Sequence, residues 1–103
     1  MDKYYKYKMT QRQILIENAD RLHTTDMGME RITRNLGLSD TDNPVQVCRN
    51  IVLDNDSRIW RKGKNWYCEN SGVVITINSY SYTIITAHKK DMMIKNERNQ
   101  NDR

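Results

Sequence analysis

The residues able to do chemistry in this 103-residue chain are two histidines and a set of cations gathered in two places. The stretch "RIWRKGKNWY" carries Arg58, Arg61, Lys62 and Lys64 around one glycine, and "TAHKK" ends on His88, Lys89 and Lys90. His23 stands alone upstream, and Arg31 and Arg34 lie three apart in "MERITRNLG". Imidazole changes charge near neutral pH and so serves as a proton donor or acceptor. Lys and Arg are common counter-charges for phosphate. These types together suit cleavage of RNA by its own 2′-hydroxyl, which needs a base for the hydroxyl proton, an acid for the leaving oxygen and cations for the charge on phosphorus. On that chemistry His88 and His23 are the catalytic candidates. Arg58, Arg61, Lys62, Lys64, Lys89, Lys90, Arg31 and Arg34 are the nucleic-acid-binding candidates.

Each feature also has a plainer account. A hairpin tip rich in Lys and Arg is commonly a solvated turn whose charges discourage edge-to-edge aggregation. His88 then closes a strand in water, and His23 caps the C-terminus of the preceding helix, where a cation is favoured. Arg31 and Arg34 form a wet helix face. Trp60 and Trp66 flank the glycine turn, which fits a cross-strand aromatic pair as well as base stacking. Cys48 is a small core residue. Asp54, Asp56 and Glu69 lack the ligand periodicity of a calcium loop, and two Cys with two distant His lack zinc spacing. No metal and no cofactor is expected.

The bulk numbers admit these chemistries without demanding them. Seventeen Lys and Arg against thirteen Asp and Glu give a formal charge of +4 and a pI near 9.2, a mild excess suited to RNA or to an acidic partner. Cys48 and Cys68 are the only cysteines, no leader is recognised, and no apolar run is long enough to span a membrane. The expected compartment is a bacterial-type cytoplasm with both thiols reduced. A chain of this length forms one domain, hiding about 60–65% of the surface its unfolded form exposes.

The elements that must hold these residues follow from the period of the apolar positions. "MDKYYKYKMT" alternates Lys and Tyr without a pattern, so residues 1–10 are expected to be a basic, aromatic arm. "QRQILIENADRLH" places Ile14, Leu15, Ala19 and Leu22 at helical spacing. A second helix starts at Thr25 or Asp26, uses Met29, Ile32 and Leu36 as its apolar stripe and stops at Gly37. Asp42 or Asn43 caps a third helix that Pro44 opens, with Val45, Cys48, Ile51 and Val52 inward. After that the period falls to two. Strands are expected near 57–62, 65–69, 73–78 and 81–87, joined by "GK", "NSG" and "SY" turns too short for anything but an antiparallel meander. Val73, Ile75 and Ile77 share the core face. The expected core comprises Ile14, Leu22, Ile32, Leu36, Cys48, Ile51, Val52, Ile75 and Ile84. Residues 95–103 are expected to be a polar tail. The fold class is α+β: two or three N-terminal helices on one face of a four-stranded meander, with the other face left for solvent or a partner.

The strings "LHTTDMGMERITRNLGL", "WRKGKNWYC" and "VVITINSYSYTIITAHK" resemble an uncharacterised bacterial family, DUF3781, over roughly residues 22–89. More loosely, helices followed by a meander whose last strand ends in an "iiTa" pattern is similar to the small ribonuclease fold of barnase, EndoU, colicin and RelE. That second resemblance implies a toxin-like protein acting on RNA. Some of those relatives place a His and an Arg on the helix facing the sheet. Here Arg31 and Arg34 lie on that helix, Met27 and Gly28 stand about where the His would fall, and His23 lies just upstream.

Three classes of function are consistent with these features. The first is an RNA-binding or RNA-cleaving module. The second is a non-catalytic binding protein, such as a phage or mobile-element inhibitor of a host defence complex, whose partner is acidic or itself binds nucleic acid. The third is a structural partner or homodimer with no role in nucleic acid.

Overall fold

The computed structural model of the chain describes residues 9–90. The expected polar tail, and the expected arm up to residue 8, lie outside the described residues. Thr10, assigned to the arm by its neighbours, is instead the N-cap of α1 (Gln11–Glu17). Its hydroxyl accepts from Gln13 N at 3.1 Å while Gln13 Oε1 accepts from Thr10 N at 2.9 Å, so two otherwise unpaired donors are satisfied reciprocally. The helix is shorter than the apolar spacing suggests. Asn18 is its C-cap, and its side chain turns back onto Ile14 O at 2.8 Å. A 3₁₀ turn, Ala19–Arg21, then carries the chain into the extended Leu22. His23 therefore stands beyond the end of α1 and meets the end of the 3₁₀ turn instead, its Nδ1 lying near Arg21 O.

The next two helices begin and end where their capping chemistry dictates. Thr25 accepts from Gly28 N at the start of α2 (Asp26–Leu36). Gly37, at φ 66°, ends it in the left-handed conformation that a residue without Cβ adopts freely. Asn43 accepts from Gln46 N, and Pro44 opens α3 (Pro44–Leu53) at the position where a missing N–H costs nothing. Arg12 of α1 donates to Asp54 O, Asn55 O and Ser57 O just past the end of α3. Arg49 of α3 donates to Ala19 O and Leu22 O. These two guanidinium groups tie the helical layer together through carbonyls that a helix end or a turn leaves over.

The sheet is an antiparallel meander in the order β1-β2-β3-β4, with β1 Arg58–Lys62, β2 Asn65–Asn70, β3 Val73–Asn78 and β4 Ile84–Lys89. Gly63 turns β1 into β2 at φ 62°, and Ser71 with Gly72 turn β2 into β3 at φ 52° and 83°, the positive angles that two-residue hairpins require. The last connection is longer than "SY". Asn78 Oδ1 accepts from Tyr80 N, Ser81 N and Ser81 Oγ, and Tyr82 sits at φ 63°, so the fourth strand starts at Ile84 rather than at Ser81. It also ends later, and it contains one extra residue. Thr76 pairs with Thr86 but Ile77 pairs with Ile84, which leaves Ile85 as a bulge.

One face of the sheet lies under the helices. Trp66, Cys68, Ile75, Ile77, Ile84 and Ala87 meet Leu15, Ala19, Leu22, Ile32, Cys48 and Val52 there. Of the expected core, Ile14, Leu36 and Ile51 are only partly buried and form its margin, and Met29 of the α2 stripe is exposed. Trp66 was the least legible member. The register pairs Trp60 with Tyr67 and Trp66 with Arg61, so successive positions put the two tryptophans on opposite faces. They form no pair with each other. Trp66 stands against Tyr82, ring centroids 5.3 Å apart, and its indole N–H donates to Gln11 Oε1 at 2.8 Å.

Helix α2 rests on β4 through a close approach. A Cβ on Gly28 would lie 2.1 Å from Thr24 Oγ1, the same hydroxyl that donates to Ile84 O at 2.8 Å. Gly28→Ala is expected to push Thr24 off that carbonyl and to lower stability by about 1–3 kcal/mol, as overfilling a packed site does. A urea melt checks it, and an unchanged midpoint would mean that the contact relaxes freely.

Candidate nucleic-acid interface

Strand pairing arranges the uncovered face of the sheet in three rows. The first runs Arg58, Glu69, Val74 and His88; the second runs Trp60, Tyr67, Thr76 and Thr86; the third runs Lys62, Asn65 and Asn78. Asn78 N donates to Thr83 O, and Thr83 bridges to His23, so the third row continues off the sheet to a histidine. Rows are two residues apart along a strand, or about 6.7 Å, and neighbours within a row are about 4.8 Å apart.

Charge concentrates in the first row. Glu69 Oε2 accepts from Lys90 Nζ at 2.7 Å, and Arg58 Nη1 lies 3.6 Å from Glu69 Oε1. The hydrogen bond from Lys90, with the two positive charges beside it, holds the Glu69 carboxyl below its usual range. His88 occupies the same row beyond Val74, and its Nε2 is shut off from solvent without a hydrogen-bond partner among the described residues. The second row is aromatic at one end. Trp60 and Tyr67 stack with centroids 5.8 Å apart and planes 20° apart, Trp60 is 40% exposed, and Arg58 lies 5.9 Å from its ring. Thr76 and Thr86 bring hydroxyls to the other end.

The structure divides the candidate cations between the two faces. Arg58, Lys62 and His88 stand on the open face, and Lys90 reaches it through Glu69. Arg61 belongs to the row of Trp66 and Ile77, on the helical side, where it lies 5.7 Å from the ring of Tyr80. Lys64 is in the hairpin turn, its carbonyl held by Ser79. Lys89 pairs with Val73 on the side opposite to His88. Arg31 and Arg34 are exposed on α2, in the layer behind the sheet. His88 and Lys89 are thus inside the ladder, with Lys90 just past its end, and this end meets Arg58 across Glu69 through Lys90 rather than the Lys62 and Lys64 tip.

The two histidines stand apart. His23 Nδ1 is 3.0 Å from Arg21 O and its Nε2 is 3.2 Å from Thr83 Oγ1, at the far end of the open face. The first and third rows are about 13 Å apart, too far for His23 and His88 to serve one phosphodiester. The carboxylate that does share a row with His88 is Glu69, weighed from the sequence only as a metal ligand, because only the register places it beside the histidine. Burial pushes Cys48 up to about 12, with Cys68 adding to it, and pushes Cys68 up to about 11 against a partial offset from its Ser57 hydrogen bond. Both are therefore protonated at neutral pH and act as core residues. Among the described residues no three His, Cys, Asp or Glu gather as a metal site, and no helix is long and apolar enough to cross a membrane.

No curated protein matches the chain, and no solved structure does, so the likeness to small ribonucleases rests on the order of elements alone. The family comparison is specific. The model for DUF3781, described as a protein of unknown function, matches residues 16–88, a span that takes in the end of α1, the whole of α2 and α3, and the sheet through His88. The chain belongs to the DUF3781 family.

Proposed function

We propose that the open sheet face binds single-stranded RNA and cleaves it through the RNA's own 2′-hydroxyl. The observation that supports this best is the first row, where a carboxylate, an imidazole and two cations converge beside a stacked aromatic pair. Glu69 and His88 are two strand spacings apart, about 10 Å between Cα atoms, so a phosphodiester seated over Val74 lies between Glu69 and His88, whose Nδ1 is the donor because its Nε2 is shut off from solvent. Glu69 takes the 2′-hydroxyl proton and His88 gives one to the departing 5′-oxygen, leaving a 2′,3′-cyclic phosphate. Arg58 and Lys90 balance the charge that builds on phosphorus. In the free protein they hold Glu69 ionised; phosphate draws them away and returns basicity to the carboxylate. Trp60 and Tyr67 offer a ring face to the neighbouring base, an interaction that tolerates any sequence.

The test is incubation of the purified protein with a fluorescent single-stranded RNA in excess EDTA, together with binding measured against salt. Cleavage to a cyclic phosphate is expected. Binding is expected to weaken with salt at a log-log slope of about −0.7 per phosphate contact, because counterions are released. Charge reversal at Lys62 and Lys64 is expected to weaken binding across all sequences. Salt-sensitive binding without cleavage would leave a non-catalytic binding module, and salt-insensitive or undetectable binding would remove RNA altogether.

A further inference from the structure

The two edges of the sheet are finished differently. Along β4, Thr24 donates to Ile84 O and Asn35 donates to Ala87 O, while His23 exchanges backbone bonds with Tyr82 and Ile84. That edge is closed by the helical layer. Along β1, alternate residues of an edge strand turn their N–H and C=O groups outward. Among the described residues, no backbone or side-chain group takes up a β1 backbone atom beyond the pairing with β2. The side chains along this edge are of one sign: Arg58, Arg61, Lys62 and Lys64 lie between Ser57 and Cys68, and no acid does. A second copy of the chain, bringing the same cations, is repelled there.

We infer that β1 receives an acidic, extended segment of a partner protein as a fifth strand. The register fixes its pattern. An added strand continues the three rows, so it sets one residue beside Arg58, the next-but-one beside Trp60 and the next-but-one again beside Lys62. The matching sequence is acid, any, aliphatic, any, acid: carboxylates flank the two cations and an aliphatic side chain covers the exposed Trp60 ring. Backbone pairing supplies affinity and these alternate positions supply specificity. This surface is the edge of the sheet rather than its face, and it stands whether or not RNA is the substrate.

The probe is a labelled peptide, acetyl-Thr-Glu-Thr-Val-Thr-Glu-Thr-amide, titrated into the full chain by fluorescence anisotropy. Its isomer Thr-Thr-Glu-Val-Glu-Thr-Thr has the same charge but turns both acids to the face opposite to Val. The first peptide is expected to bind at least about tenfold more tightly, a difference of about 1.4 kcal/mol. N-methylation of alternate amides on its pairing edge is expected to abolish binding, and Lys62→Glu to weaken it while the melting temperature stays put. Equal binding of the two isomers, binding that survives N-methylation on either edge, or no binding at millimolar peptide overturns the inference.

Discussion

If the open face cleaves RNA as proposed, His88→Ala is expected to lower the rate of cleavage by about a hundredfold or more while leaving RNA affinity within a few-fold of the parent, which is the signature of losing a proton donor rather than a binding contact. Single-turnover cleavage and equilibrium binding on the same RNA measure the two quantities separately. His88 is half-buried in β4 and pairs with Val74, so the substitution leaves the ladder in place and the melting temperature serves as a folding control. Glu69→Gln is the companion. It keeps the shape but removes the negative charge that Arg58 and Lys90 hold, so on the proposed mechanism cleavage is expected to fall while binding of the phosphate backbone is expected to improve, two cations having been released. His23→Ala, two rows away, is expected to leave cleavage close to the parent. A His23→Ala loss as large as that of His88→Ala would overturn the assignment to the first row.

Ile75→Ala is expected to lower stability by about 2–5 kcal/mol through lost burial and the cavity left behind. Ile75 is fully buried in the central strand β3, between Cys68 on one side and Ala87 on the other. Neither neighbour is large enough to collapse into the space. At about 4–8 °C per kcal/mol for a domain of this size, the melting temperature drops by about 8 °C or more. The residue that follows it, Thr76, faces the other way, and Thr76→Ser is expected to shift the melt much less. A thermal melt insensitive to Ile75→Ala would mean that β3 presents its other face to the helices.

The helix starts and stops were legible because they depend on single residues acting locally. Thr25, Gly37, Asn43 and Pro44 do what their side chains and dihedral preferences favour, and the switch of period after Leu53 marks the sheet. The early end of α1 was less legible, since it turns on whether Asn18 reaches back to Ile14 O, a competition that the apolar spacing of Leu15, Ala19 and Leu22 conceals. The candidate site was legible in kind but not in membership. Its cations and His88 announce themselves by type, whereas Glu69 and Tyr67 look like ordinary strand residues until the pairing of three strands sets them beside Arg58, Trp60 and His88. Which of two adjacent cations reaches the open face is a question of register, and register is a property of pairs of strands that no single segment carries.

The bulge at Ile85 decides what that face contains by counting alone. Ile84 is buried under the helices, and in an unbroken strand every second residue after it, Thr86 and then His88, would follow it inward. One unpaired residue changes odd to even: Ala87 takes the inward place and His88 is turned out. The imidazole therefore owes its position to the parity of the strand rather than to any contact of its own. Deleting Ile85 would take out only the unpaired residue and leave Thr86, Ala87 and His88 opposite Thr76, Ile75 and Val74; inserting one residue between Ala87 and His88 would instead leave every chemical group of the first row in the chain and still dismantle the row, by turning the histidine toward the core.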